Sequence, residues 1–387
     1  MAGRADRAEA VLTVNSGSSS LKIAVFDAAG AERLRGSVSE IGGAARLVLG
    51  PRSATAPIAT HRQALEALLD AIDAEGGALS GVAASVHRVV HGGRSLTETA
   101  RLTPGVRAAI EACAEIAPLH NPPALAAIDA LAELRPDLVH YACFDTAFHV
   151  TIPDLARRYA LPATPETDGI CRYGFHGISY ASLVRLLPEI SGAPLPGRLL
   201  ALHLGNGASL CAISEGRSAA TTMGYSPLEG LTMGTRAGSI DGNAVLKLAE
   251  RLGIDGAARL LNRESGLLGL GGASDMRQLA EAETEEARFA IAHFCYWAAR
   301  HAGSMIVAMG GCDALAFTGG IGENRAEVRA AIAEALSFLG LDLCPEANRA
   351  GAARLHSANS RIGAWIVPAR EEAMMAEEVL AALAAGR

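Results

Sequence analysis

Three short stretches of glycine and small polar residues are places where a phosphate chain could rest. NSGSSS (Asn15 to Ser20) follows the apolar run VLTV, HLGNG (His203 to Gly207) closes the run RLLALHL, and GGIGEN (Gly319 to Asn324) follows the run ending in AFT. Phosphate oxygens need closely spaced backbone N–H donors, and any Cβ in the way holds them off. Ser18 and Ser20 sit in the first stretch, and Lys22, two residues into the next apolar run, brings a point charge suited to a β- or γ-phosphate. A serine–glycine turn also occurs in ordinary hairpins, and one glycine cluster alone says little. Three of them, each after an apolar run, are much harder to explain by turn chemistry.

The charged residues beside these stretches suggest what would be done to the phosphate. Arg88 lies inside the apolar run VAASVHRVV, where an unpaired guanidinium would be very costly to bury. It is either half of a structural ion pair or a ligand for an anion. Arg236, in MGTRAG, is flanked by glycine and small residues, so its side chain can reach open space. Two arginines are suited to holding a carboxylate and a transferring phosphoryl group together. Asp145 ends the apolar run in CFDTAFH, the usual place for a functional acid in an α/β sheet, or else it caps the next turn. His176, in YGFHG, stands between an aromatic residue and a glycine; alone it reads as a core histidine, as do His87 and His91. Asp275 and Arg277 in ASDMR, with Glu371 in PAREE, complete the set beside loops.

The surrounding patterns predict the elements that carry these groups. VLTV and LKIAVFD, joined by NSGSSS, read as a hairpin, and the design returns in RLLALHL, GNGAS and LCAIS. HRQALEALLDAIDA and NPPALAAIDALAEL have helical spacing, and VAASVHRVV and HYACFD read as buried strands. TPGVRAAIEACAEIAPLH predicts a helix with a Thr N-cap, a first-turn proline and a stop at Pro118. Helices are expected after His176, over 243–253 and from Thr284 to Met309, then a strand and glycine loop in DALAFTGGIGEN and a last strand and helix in AWIVPAREEAMMAEEVLAALAA. A boundary near residue 150 gives two domains, 1–150 and 151–373, with the closing helix over 374–387 packing back on the first.

Composition agrees with an α/β enzyme. The 387 residues are half hydrophobic, enough for two sizeable cores, and aromatics make up only 4%. A formal net charge of −7 gives no sign of a nucleic-acid or membrane-surface protein. The seven cysteines are scattered with no C-x-x-C pair, so a reducing cytoplasm is expected rather than a disulfide framework or zinc knuckle. MAGRADRAEA has charges where a signal peptide needs an apolar core.

Taken together, these strings resemble the acetate kinase family over essentially the whole chain from Val11 onward. NSGSSSLK (Asn15 to Lys22) and YGFHG (Tyr173 to Gly177) resemble its two signatures. HRVVHGG (His87 to Gly93), APLHNPP (Ala117 to Pro123), FDTAFH (Phe144 to His149), HLGNG, MGTR and GIGEN follow in the family's order. The resemblance implies a duplicated actin/sugar-kinase/Hsp70-like (ribonuclease H-like) α/β fold, with an active-site cleft between two domains. It implies a homodimer using ATP/ADP and Mg²⁺, with Mn²⁺ as a substitute. Carried over by position, Asn15 and Glu371 are expected at the metal, and Lys22 at the nucleotide. Arg88 is expected on the substrate carboxylate, Asp145 as the active-site acid, and His176 and Arg236 on the transition state. His203, Leu204, Gly205, Asn206 and Gly207, then Asp275, Met276 and Arg277, then Gly320, Ile321, Gly322, Glu323 and Asn324, would line the nucleotide site. Val90, Leu119, Phe175 and Pro227 map onto the acyl pocket, whose bulk favours a methyl group.

Several positions depart from the family's pattern: Gly238-Ser239-Ile240-Asp241-Gly242, Gly177-Ile178-Ser179-Tyr180, Ala273 and Ala369-Arg370-Glu371-Glu372. None is a primary catalytic position of the resemblance. The expected reaction is reversible in-line phosphoryl transfer from ATP to acetate. The rivals are a kinase for propionate or butyrate and a nucleotide-binding regulatory module without transfer.

Overall fold

The apolar run that begins at Ala10 forms the first strand, β1 (Ala10–Ser16), and turns through Gly17 into its antiparallel partner β2 (Ser20–Phe26). The Gly17 N–H donates to the Ser20 carbonyl and closes the turn at 2.8 Å. The computed structural model describes residues 10–74, 79, 81–118 and 120–386; the charged stretch before Ala10 and Leu119 lie outside them. The chain divides into two compact units, Met1–Ala147 with Arg370–Arg387, and Phe148–Ala369.

In the first unit the hairpin continues into β3 (Glu32–Ser39), β4 (Gly43–Leu49) and β5 (Arg52–Ile58), and β6 (Val82–Val89), β7 (Ala100–Arg101) and β8 (Val139–Phe144) complete the sheet. The strand order is β5-β4-β3-β2-β1-β6-β8-β7, antiparallel from β5 to β1 and parallel across β1, β6 and β8. The meander β3–β5 had no clear signal in the sequence. Its outer strand RSATAPI is largely exposed and polar, and Pro57 is tolerated because β5 is an edge. Helices His61–Ala74 and Asn121–Leu134 cover one face, packing Leu65, Leu68, Ile72 and Leu131 against Leu12, Val14, Leu21 and Ile23. The closing helix Glu371–Ala384 belongs to this unit.

The second unit repeats the design. Strands β9 (Arg198–Leu204), β10 (Ala208–Ser214), β11 (Arg217–Thr221), β12 (Ala314–Thr318) and β13 (Gly363–Ile366) lie in the order β11-β10-β9-β12-β13. That order, with three antiparallel strands followed by two parallel ones, matches β3-β2-β1-β6-β8 strand for strand. Two helices start where the sequence places them, the first behind the threonine cap it predicts. Thr103 caps Pro104–Ala112 through the Val106 N–H, and Thr284 caps Glu285–Met309 through the Ala287 N–H. The first of these stops at Ala112, not Pro118, and tightens into a 3-10 turn over Cys113–Glu115, where the Ile116 N–H donates to the Cys113 carbonyl. GGIGEN is helical over Gly319–Asn324 rather than a loop, entered through Gly319 at φ +79°. The helix expected over 243–253 starts at Gly242 behind the Asp241 cap and continues to Arg263, broken at Gly253, where φ is 72°.

Candidate active site

In the first unit the parallel arrangement of β1, β6 and β8 places their C-terminal ends side by side, where sheets of this kind present functional groups. Asn15 lies near the end of β1, Arg88 near the end of β6, and Asp145 directly after β8. Arg88 grips Asp145 with its whole fork, Nε to Oδ1 at 3.0 Å and Nη2 to Oδ2 at 2.7 Å. Its remaining Nη1 points to Asn15 Oδ1 at 3.4 Å and Glu371 Oε2 at 3.7 Å. Glu371 arrives from elsewhere in the sequence, as the first residue of the closing helix. Burial opposes the Arg88 charge, but the Asp145 and Glu371 carboxylates outweigh it and hold the guanidinium protonated. Both Asp145 oxygens accept from Arg88, which makes this carboxylate a poor candidate for a base.

Four other expected residues of this unit are placed without a shared cluster. Lys22 is exposed and stands opposite Asn15 in the hairpin register, and Ser18 and Ser20 border the same turn. Val90 is half-buried just beyond β6. The remaining acyl-pocket residue of this unit, Leu119, lies outside the described residues.

In the second unit His176 adopts a left-handed backbone, φ 58°, at the start of helix Gly177–Ser191. A non-glycine residue in that region stores strain that neighbours must over-determine. They do: its Nδ1 lies 2.8 Å from Ser209 Oγ, and its ring stacks on His203 with centroids 4.1 Å apart. His203 is held in turn by Ser179 Oγ at 2.8 Å. The loop before His176 is fixed by His149, whose Nε2 meets the Phe175 carbonyl and whose Nδ1 meets Ser218. A Cβ on Gly174 would lie 2.6 Å from the His149 ring, so only glycine fits there. Arg236 comes from the MGTR loop, and its Nη1 donates to the Pro227 carbonyl at 3.1 Å.

His176 and Arg236 converge on one glycine of the HLGNG loop. A Cβ built on Gly207 would stand 3.2 Å from His176 Nε2 and 3.7 Å from Arg236 Nη1. Beside this point opens a pocket of about 800 Å³, lined from three remote stretches by Gly205 and Asn206, by Ser274 to Arg277, and by Gly320, Ile321, Asn324 and Arg325. That volume suits a small-molecule ligand of nucleotide size. Within the same stretches His203 and Gly207 are half-buried, Leu204, Gly322 and Met276 are buried, and Glu323 Oε1 accepts from the Gly319 and Ala369 N–H groups.

The family model described as the acetokinase family matches residues 10–377. The chain belongs to the acetokinase family. An acetate kinase of Leifsonia xyli subsp. xyli is 44% identical, with 97% of this chain and 100% of that protein covered. A propionate kinase structure from Francisella tularensis superposes with a TM-score of 0.90 at 33% identity, covering 96% of this chain and 98% of that one. An acetate kinase structure from Porphyromonas gingivalis gives 0.88 at 34%, covering 97% and 100%. The fold is thus the two-part α/β architecture of these kinases.

Several residues that shape the site carried no signal of their own in the sequence. Arg172 donates to Glu229 Oε1 at 2.7 Å and to the carbonyls of Thr222 and Met223, while Tyr159 holds the other Glu229 oxygen. This network braces the loop containing Pro227. Arg329, 1% exposed, donates to the Gly322 and Glu323 carbonyls and to Asn348, fixing the GGIGEN turn from behind. Arginines on ordinary helices or loops read as surface charge until their partners are known.

Proposed function

We propose that the protein is an Mg²⁺-dependent acetate kinase that transfers the γ-phosphoryl group of ATP reversibly to acetate, giving ADP and acetyl phosphate in cytoplasmic acetyl-CoA/acetate metabolism. The observation that carries this reading is the convergence of His176 and Arg236 on Gly207, beside the pocket of Asn206, Asp275 and Gly320. An imidazole and a cation thereby meet over a glycine with no side chain, beside a nucleotide-sized pocket.

Acetate is already ionised at neutral pH, since carboxylic acids titrate near pH ~4–5. The nucleophile therefore needs no base, and Asp145, with both oxygens engaged by Arg88, is assigned to holding that guanidinium in place. The obstacle is the approach of two anions. Charge stabilisation by fixed donors is usually the largest catalytic contribution in such a transfer. Arg88 is assigned to the substrate carboxylate, and His176 and Arg236 to the phosphoryl oxygens of the transition state. Lys22, Ser18 and Ser20 join the HLGNG, Asp275–Arg277 and GIGEN residues as nucleotide contacts. Asn15 and Glu371 offer oxygen donors, the chemistry Mg²⁺ takes when phosphates and water supply its other ligands. When bound, the ion neutralises phosphate charge.

Val90, Leu119, Phe175 and Pro227 are assigned to the acyl group. Discrimination by one methylene is worth only about 1–3 kcal/mol, so propionate is the nearest competitor. The homodimer is supported by helix Glu285–Met309, which exposes Phe289, Tyr296 and Val307 at helical repeats of one face, with 56%, 63% and 80% of their surface open. A hydroxamate assay with ATP, Mg²⁺ and acetate, propionate or butyrate tests the reading. Signal falling with chain length is expected; no acyl phosphate from any acid, in folded protein that binds ATP, would leave a nucleotide-binding module instead.

A further inference from the structure

Tyr180 lies in the first turn of helix Gly177–Ser191, and the structure gives it a partner beside the site. Its ring is fully buried in the core of the second unit with Leu183, Leu199 and Cys211. Its hydroxyl reaches Ser209 Oγ at 2.6 Å. The same Ser209 Oγ lies 2.8 Å from His176 Nδ1. Three groups thus form one chain, phenol to serine to imidazole, ending at the ring that faces Gly207 through Nε2.

We propose that Tyr180, acting through Ser209, is a positioning residue that holds His176 as the neutral tautomer with its proton on Nε2. A buried phenol loses free energy unless its proton reaches an acceptor, and Ser209 Oγ is the acceptor in reach. Once Ser209 accepts from Tyr180, its own hydroxyl proton is free to point at His176 Nδ1. An imidazole that accepts at Nδ1 carries its proton on Nε2, the nitrogen turned toward Gly207. His176 then presents a donor to a phosphoryl oxygen, where the opposite tautomer would present a lone pair to an anion. Burial raises the Tyr180 hydroxyl well above the usual phenol range, so the phenol keeps its proton and remains the donor at the head of the chain. The stack on His203 and the left-handed backbone fix the ring plane, and the hydroxyl chain fixes which nitrogen carries the proton.

This inference rests on the role assigned to His176 in phosphoryl transfer, and its test has a readout independent of that role. Long-range ¹H–¹⁵N correlation spectra of protein labelled at histidine nitrogens, with His176→Gln identifying the signal, should show His176 as the Nε2–H tautomer. Tyr180→Phe keeps the ring and removes the hydroxyl. It is expected to shift His176 toward a tautomer mixture and to lower kcat about tenfold, leaving the KM for ATP within about twofold. Ser209→Ala should do the same, and Tyr180→Phe added to Ser209→Ala should cost nothing more. An Nδ1–H tautomer in the wild type overturns the proposal, as does a Tyr180→Phe effect that persists undiminished in the Ser209→Ala background. If His176→Gln keeps full activity while the spectra behave as expected, the relay stands and the catalytic role of His176 falls.

Discussion

Arg88 is held by groups that would each be costly to leave alone. Two of its five N–H donors hold Asp145, whose side chain is 2% exposed, and its Nη1 lies beside Asn15 and Glu371. Removing one partner of such a pair strands the other charge, which typically costs about 3–5 kcal/mol. Arg88→Met should therefore lower stability by that order in urea unfolding and abolish turnover. Arg88→Met with Asp145→Leu should recover most of the stability and none of the activity. Recovery of activity by the double variant would remove Arg88 from the substrate. Arg88→Lys keeps the charge but not the planar fork, so it should not rescue. For Arg236→Ala, which removes a cation at the assigned phosphoryl position, kcat should fall by about 10³ with little change in the ATP KM. A kcat within a few-fold of wild type would refute that assignment.

At the scale of elements, the loops of the second unit are set by glycines that other backbone presses upon. Gly266, φ +65°, opens helix Gly266–Gly271, and a Cβ there would fall 2.1 Å from the Met233 carbonyl oxygen and 2.6 Å from that of Arg236. Gly266→Ala should thus displace the MGTR loop, at a cost of at least about 1–3 kcal/mol from the backbone conformation alone. Thermal unfolding should show the loss, and kcat should fall as Arg236 moves. Gly207→Ala is milder in packing but aimed at the site, because its Cβ would contact His176 Nε2 at 3.2 Å. Near-native melting with a large loss of kcat is expected there; unchanged kcat would mean that no reacting group passes over Gly207.

The whole molecule carries a pH dependence in its buried histidines. Burial lowers His87 to about 3, and His91 and His149 to about 4, from the usual 6.5. Folded pKa values below the unfolded value mean that the unfolded chain binds more protons between them. The stability these residues contribute is present above pH ~6.5 and is lost as pH falls toward about 4 for His91 and His149 and about 3 for His87, with a slope of about 1.4 kcal/mol per pH unit for each. Urea midpoints should therefore drop clearly from pH 7 to pH 5; a flat profile would show these rings to be protonatable in place. The exposed stripe Phe289, Tyr296, Val307 predicts the assembly. Sedimentation at micromolar concentration should give twice 39.8 kDa, and Tyr296→Glu with Val307→Glu should give the monomer.

Sequence alone determined the paired hairpins, the helix starts at Thr103 and Thr284, the place of Arg88 within a strand and that of Asp145 at a strand's end. These follow from local rules: apolar runs broken by small residues, capping side chains, and polar groups at the ends of buried strands. It also carried the family, because strings such as NSGSSSLK and YGFHG are contiguous. The solvent-facing meander β3–β5 escaped it, since exposed strands lack an apolar period. Only the tertiary structure decided that both Asp145 oxygens accept from Arg88, that Glu371 returns to the same guanidinium, and that Tyr180 reaches His176 through Ser209. Each of these joins a group to a partner that chain spacing does not encode. A side chain's partner is set by which strands lie side by side, and that order emerges only when the sheets assemble.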